Sequence, residues 1–220
     1  SITAGTGTNS ITVTSGSTGQ NGTISVTATN SCGTSSASSL GVTVSPATPV
    51  TPGLIAGTST VCPAIIGLTY SITAVPNATT YTWAVPTGWS ITAGAGTNSI
   101  TVTSGSTGQN GTISVTATNS CGTSLARTLA VTVSPAAPAM PGAISGSIEQ
   151  CISRTGLVYS ISAVANASSY TWTLPSGWNI TSGTNTNTIT VSTSGTAVAG
   201  NITVTANNSC GTSGALGSTA

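Results

Sequence analysis

Apolar and hydroxyl-bearing residues alternate along short stretches of this chain. Leu68, Tyr70, Ile72 and Ala74 interleave with Thr69, Ser71 and Thr73. Ile113, Val115 and Ala117 interleave with Ser114, Thr116 and Thr118, and Leu129, Val131 and Val133 with Ala130 and Thr132. Period-two alternation puts one set of side chains on a buried face and the other in water, the mark of a half-buried strand. Threonine suits the outer face because its β-branch favours extended backbone while its hydroxyl stays hydrated. In the usual sandwich lettering the pattern predicts strand A over 54–61, B over 68–75, C over 80–85, a short strand over 90–93, E over 99–103, F over 112–118 and G over 128–134. Turn residues punctuate these segments: Pro76-Asn77, Thr87-Gly88, Ser104-Gly105, Asn110-Gly111 and Cys121-Gly122. No stretch carries a helical stripe.

About seven short strands with a turn every eight to twelve residues predict an all-β chain of immunoglobulin-like sandwiches. Trp83, in strand C, takes the place of the buried tryptophan of such sandwiches. Trp89 lies just past a turn. It and its equivalent Trp178 have two readings, a cover for one end of the core or ligand-facing aromatics.

The pattern recurs. Residues 90–121 reappear almost letter for letter as residues 1–32, and a diverged copy of 81–121 occupies 170–210. The intervals from Cys32 to Cys121, Cys121 to Cys210 and Cys62 to Cys151 are all 89 residues. The chain is therefore a tandem array. The expected domains are the C-terminal half of a truncated repeat over 1–49, a complete repeat over 50–138, and a repeat lacking its last strand over 139–220. This reads as a piece of a longer array. Pro-rich joints, SPATPVTPG at 45–53 and SPAAPAMPG at 134–142, separate the units. Prolines at that spacing favour stiff extended backbone, which predicts a rod of units set end to end.

Composition narrows the chemistry. Only Arg127, Glu149 and Arg154 are charged, 1% of the chain against about a quarter in an average protein. There is no Asp, Lys or His. A Ser/His/Asp triad, a paired-carboxylate site, a metal site and a P-loop each need residues that are missing here. Nucleic-acid binding needs a basic stripe. No catalytic, cofactor or metal site is expected, and no nucleic-acid partner. No apolar run reaches the roughly twenty residues of a membrane helix, so no membrane insertion is expected. N-glycosylation sequons occur at Asn21, Asn77, Asn110, Asn166, Asn179 and Asn201, and chance gives several in so Asn-, Ser- and Thr-rich a chain.

Five cysteines remain. Cys62 and Cys151 fall between strands A and B, and Cys32, Cys121 and Cys210 fall in the F–G turn. Without metal-type spacing they read as disulfide cysteines of an oxidising compartment. Pairing within a repeat, Cys62–Cys121 and Cys151–Cys210, lets each unit fold alone. Closing a loop of that size stabilises by about 4 kcal/mol in the chain-entropy model. Cys32 then pairs outside the chain. The alternative is Cys62–Cys210, because in a plain sandwich the A–B and F–G turns lie at opposite ends, too far apart to bridge.

The run from Val61 to Ile72 (VCPAIIGLTYSI), then Tyr81-Thr82-Trp83, then 111–124 (GTISVTATNSCGTS), resembles the PKD-like, immunoglobulin-like repeats of large secreted surface proteins of Bacteroidota. Cys151, residues 159–161, 170–172 and 206–213 match in the next copy. The resemblance implies a β-sandwich spacer in an extracellular or cell-surface protein, often an adhesin, exported by the type IX system. The better-known pattern continues with acids after strand C. Here residues 83–89 read WAVPTGW, with no acid and hence no calcium expected there.

Three functions are in competition. The first is a non-catalytic spacer or stalk, whose partners are neighbouring repeats of the same chain and whose glycan or host-surface contacts lie elsewhere. The second is a self-assembling fibre or sheath subunit, associating laterally with identical chains, since so uncharged a surface lacks the residues that guard sheet edges. The third is a carbohydrate-binding module built on Trp89 with Tyr81 and on their equivalents Trp178 with Tyr170.

Overall fold

The computed structural model describes residues 1–219. Its first unit is small: β1 (Ile2–Ala4) pairs with β2 (Thr12–Val13), β3 (Gly22–Val26) with β6 (Ser38–Val42), and β4 (Thr29–Asn30) with β5 (Gly33–Thr34). Ile2, Ile11, Val13, Val26, Leu40 and Val42 are exposed. Several of them border an open groove of about 480 Å³.

The second unit is a closed sandwich. Its elements are β7 (Thr60–Val61), β8 (Leu68–Ser71), β9 (Thr80–Ala84), β10 (Ser90–Ala93), β11 (Ser99–Thr103), β12 (Gly111–Asn119), β13 (Gly122–Thr123) and β14 (Arg127–Val133). One sheet runs β10-β11-β8, all antiparallel. The other places β12 between β9 and β14, with β7 parallel to β14 at the edge. Strand A is therefore split. Ala56 bridges to Ser71 in the first sheet, and Thr60–Val61 then crosses to pair with Thr132 and Val133 in the second. A single continuous strand A over 54–61 does not form, because Gly57 breaks it in a conformation (φ 152°) that a side chain rarely adopts. A Cβ there would also strike the ring of Tyr70.

The inward residues of both sheets meet as the alternation predicted. Tyr70, Ile100, Val102, Ile113, Val115, Ala117 and Val131 are 0–1% exposed. Each is the apolar partner of an outward Thr or Ser, so one sequence period supplies both the core and the hydrated surface.

The third unit repeats the plan with β15 (Leu157–Ser160), β16 (Ser169–Thr173), β17 (Trp178–Ser182), β18 (Thr188–Thr193), β19 (Asn201–Asn208), β20 (Gly211–Thr212) and β21 (Leu216–Thr219). The expectation that this unit lacks its last strand needs correction. β21 pairs antiparallel with β19, from Val204↔Leu216 to Asn201↔Thr219, as β14 does with β12. Four residues suffice because β19 is already held on its other side by β16.

The joint between repeats as candidate functional site

Trp89 and Trp178, the candidate ligand-facing aromatics, point inward. They are 7% and 9% exposed. Each indole Nε1 donates to a backbone carbonyl, Trp89 to Gln109 at 2.9 Å and Trp178 to Val198 at 3.0 Å. Each ring lies tilted against a core tyrosine, Tyr70 at 6.5 Å and Tyr159 at 6.1 Å. A buried indole needs its N–H satisfied, and these carbonyls do so. Both residues cap one end of the core and present no face to a ligand. Trp83 and Trp172 are likewise buried, donating to Thr97 and Thr186.

The tyrosine hydroxyls serve the fold as well. Tyr70 donates to Thr58 at 2.7 Å and Tyr159 to Ser147 at 2.8 Å. Burial raises the pKa of both above the ordinary tyrosine value, and for Tyr159 a hydrogen bond with Gln150 partly offsets this. Among the described residues, no three His, Cys, Asp or Glu side chains gather in one place. No helix is long and apolar enough to cross a membrane.

The polar residues that converge do so at the joints. After β12 the chain turns tightly through Ser120, Cys121 and Gly122. Asn119 organises the turn: its Oδ1 accepts from Cys121 N at 2.8 Å. Its Nδ2 reaches back to the preceding linker and donates to Ala47 O at 2.8 Å, and also to Asn77 O at 3.1 Å. Thr48 Oγ1 donates to Cys121 O at 3.1 Å, and Arg127 Nε to Pro52 O at 3.0 Å. The linker is thus clamped along the F–G side of the unit it enters.

The third unit rebuilds the asparagine part of the clamp, while Ala137 and Leu216 stand where Thr48 and Arg127 do. Asn208 Oδ1 accepts from Cys210 N at 2.8 Å, and its Nδ2 donates to Ala136 O at 2.8 Å and Asn166 O at 3.0 Å. The sequence does carry a signal for this asparagine: Asn-Ser-Cys recurs at 30, 119 and 208. Reading the motif only for its cysteine overlooked the residue that holds the turn.

The cysteines follow from this geometry. Val61 lies beside Val133 at the end of the sheet from which the chain leaves toward the next unit. Cys62 comes next, its carbonyl accepting from the buried Ser104 hydroxyl at 2.8 Å. Cys121 sits at the opposite end, beyond the full length of β12. Nine residues of strand cover about 30 Å, and a bridge spans less than about 7 Å between Cα atoms. The within-repeat pairing is corrected accordingly. The structure joins Cys62 to Cys210, Cα to Cα 5.5 Å, across the joint between the second and third units. Cys32, Cys121 and Cys151, the first expected to pair outside the chain and the other two within their own repeats, are free and exposed.

The bond works with the clamp. One ties the linker to the following unit, and the other ties the two units together. The joint therefore has a covalent and a hydrogen-bonded restraint, both anchored in the F–G turn of the third unit at Cys210 and Asn208, which limits bending and twisting between the sandwiches.

A model of the PKD-like domain matches the chain three times, over residues 1–42, 48–131 and 137–219. A comparison with curated proteins returns no match. Among solved structures, the crystal structure of titin domains A168–A170 is similar at 15% identity and a TM-score of 0.48, with 90% of this chain and 74% of that one covered. Domains FN1–FN3 of chicken CNTN1 are similar at 15% identity and a TM-score of 0.35, with the same coverage. The three matched segments take in nearly all of the described residues, and the chain belongs to the PKD-like domain family.

Proposed function

We propose that these repeats are a structural, non-catalytic spacer in a long extracellular or cell-surface protein, holding another region away from its anchor. The observation that carries this is the repeated joint. The same asparagine-to-linker clamp forms at Ala47 and at Ala136, with the same 2.8 Å hydrogen bond, and a disulfide crosses one of the two joints. A chain that fixes the entering linker twice by the same asparagine contact is organised for reach. The disulfide fits an oxidising, extracellular setting. The resemblance to repeats of Bacteroidota surface proteins fits an adhesin or filament stalk exported by the type IX system.

Negative-stain microscopy and small-angle scattering of arrays with increasing repeat number test this reading. Single rods whose length grows in proportion to repeat number are expected. Compact particles, or a length that does not grow with repeat number, would sink it. The second reading, lateral assembly with identical chains, is favoured by the exposed Leu54, Ile66 and Leu125 on a surface with only three charges. Ordered bundles in the same images would replace the spacer with the fibre. The inward seating of Trp89 and Trp178 takes away the aromatics on which a carbohydrate-binding module would stand.

A further inference from the structure

We infer that Cys121 and Cys151 are the open ends of a disulfide ladder, in which the A–B cysteine of every repeat bonds the F–G-turn cysteine of the next, and that this ladder carries tension along the array. It rests on the tandem-array reading above. The Cys62–Cys210 bond supplies the rule: a separation of 148 residues, from the A–B position of one unit to the F–G position of its successor. Cys151 is the equivalent of Cys62, and Cys121 of Cys210. This chain contains no cysteine 148 residues after Cys151 or before Cys121, so neither finds its partner here.

Both free positions keep backbone hydrogen bonds of the bonded ones. Thr193 Oγ1 donates to Cys151 O at 3.0 Å, where Ser104 Oγ donates to Cys62 O at 2.8 Å. Cys121 N and Cys210 N each donate to an asparagine Oδ1 at 2.8 Å, and each of those asparagines holds the preceding linker. Cys121 therefore stands toward the linker before it as Cys210 stands toward the linker that leads from Cys62. Cys151 and Cys121 are both exposed. Each new bond forms by loss of two protons and two electrons from the two thiols to a disulfide oxidant, which is itself reduced to two thiols.

The mechanical consequence follows from connectivity. Tension applied to Ser1 and Ala220 passes from Cys62 to Cys210 through sulfur and bypasses the loop between them, a sequence separation of 148. In a continuing array, the backbone left under load is the short run from an F–G cysteine to the next A–B cysteine, as from Cys32 to Cys62 and from Cys121 to Cys151. That run is the last strand, the linker and the split strand A. Because the separation exceeds the repeat length, successive loops overlap, and each sandwich lies inside the span of two staples.

Trypsin makes the connectivity readable, since the chain has arginine only at 127 and 154. Thiol-blocked, unreduced chain should yield 1–127 linked to 155–220, with 128–154 released carrying one blocked thiol. For the ladder, a second copy of residues 132–220 is appended in phase after Ala220. The expected product links 128–154, through Cys151, to the final tryptic fragment, which holds only the appended F–G cysteine, while 1–127 stays linked to the fragment containing Cys210. A bond between 128–154 and the Cys210 fragment, or between the two appended cysteines, overturns the ladder. Force spectroscopy on the present chain tests the load path. Reduction should release roughly 500 Å of contour length that the oxidised chain withholds, at about 3.4 Å per residue. Equal lengths in the two states overturn it, whatever the rod measurements say about the spacer reading.

Discussion

Residues 11–32 and 100–121 are the same twenty-two letters in two settings. In the second unit Ile100, Val102 and Val115 are 0–1% exposed, whereas their counterparts Ile11, Val13 and Val26 are 39%, 45% and 61% exposed. The strands differ as well. The letters that form the continuous nine-residue β12 form β3 and β4, separated by a break, in the first unit. The difference lies in what the rest of the unit provides. β9 pairs along β12, and β8 pairs along β11. The first unit has no counterpart of either strand. Burial and strand length are thus collective properties, and a strand's sequence states only which face it would bury.

The largest expected effect breaks this contrast by completing the first unit. A copy of residues 50–89, with its Cys62 equivalent as serine, placed ahead of Ser1 supplies counterparts of β7, β8 and β9. In the present chain, backbone amides of Ile24 and Val26 should exchange at least roughly a thousandfold faster than those of Ile113 and Val115. In the completed chain the two sets should match. Hydrogen exchange read by mass spectrometry decides it, and an unchanged first unit would show that its exposure is intrinsic to the letters.

A substitution pair sharpens the contrast energetically. Ile100→Ala should destabilise the second unit by about 2–5 kcal/mol, the cost of lost burial plus a cavity. Ile11→Ala should cost under about 0.5 kcal/mol, as surface substitutions do. Urea unfolding followed by tryptophan fluorescence reads the first cost, because all four tryptophans lie in the second and third units, and hydrogen exchange of the Ile24 and Val26 amides reads the second. Equal costs would mean that the first unit is packed after all.

The asparagine clamp is expected to matter less, and equally at both joints. Asn119→Ala and Asn208→Ala each remove hydrogen bonds to a linker carbonyl and to a turn amide, and should each cost about 1–3 kcal/mol. The rod should become more flexible at the altered joint, seen as a broader distribution of interdomain angles in electron micrographs. Unchanged angles would assign the stiffness to proline, with the Thr48 and Arg127 hydrogen bonds at the first joint and the disulfide at the second.

The smallest effect comes from pH. Burial raises the pKa of Tyr70 and Tyr159 in the folded chain, so unfolding is accompanied by proton loss once pH passes the ordinary tyrosine value of 10.0. The stability this contributes is fully present below that value and declines as pH rises toward the folded-state pKa. Tyr70→Phe should remove the second unit's share of the slope and, with the lost hydrogen bond to Thr58, cost about 1 kcal/mol at neutral pH. The first unit has no tyrosine and should show no such slope. Urea titrations at pH 8 and above pH 10 check the sign.

What the letters alone determined is considerable. Alternation with threonine, turn residues and the 89-residue interval between cysteines specify strands, sandwiches and joints, because each rests on local backbone preference and on a period that survives copying. The tertiary structure decided the rest. Strand A crosses from one sheet to the other at Gly57 because of what Tyr70 leaves no room for. Trp89 turns inward because a carbonyl at Gln109 is placed to receive its N–H. Cys62 bonds Cys210, 148 residues away, because the nearer Cys121 sits at the wrong end of β12. A disulfide needs its two Cα atoms within a few ångströms, and distance along a chain carries no information about distance in space once strands have paired.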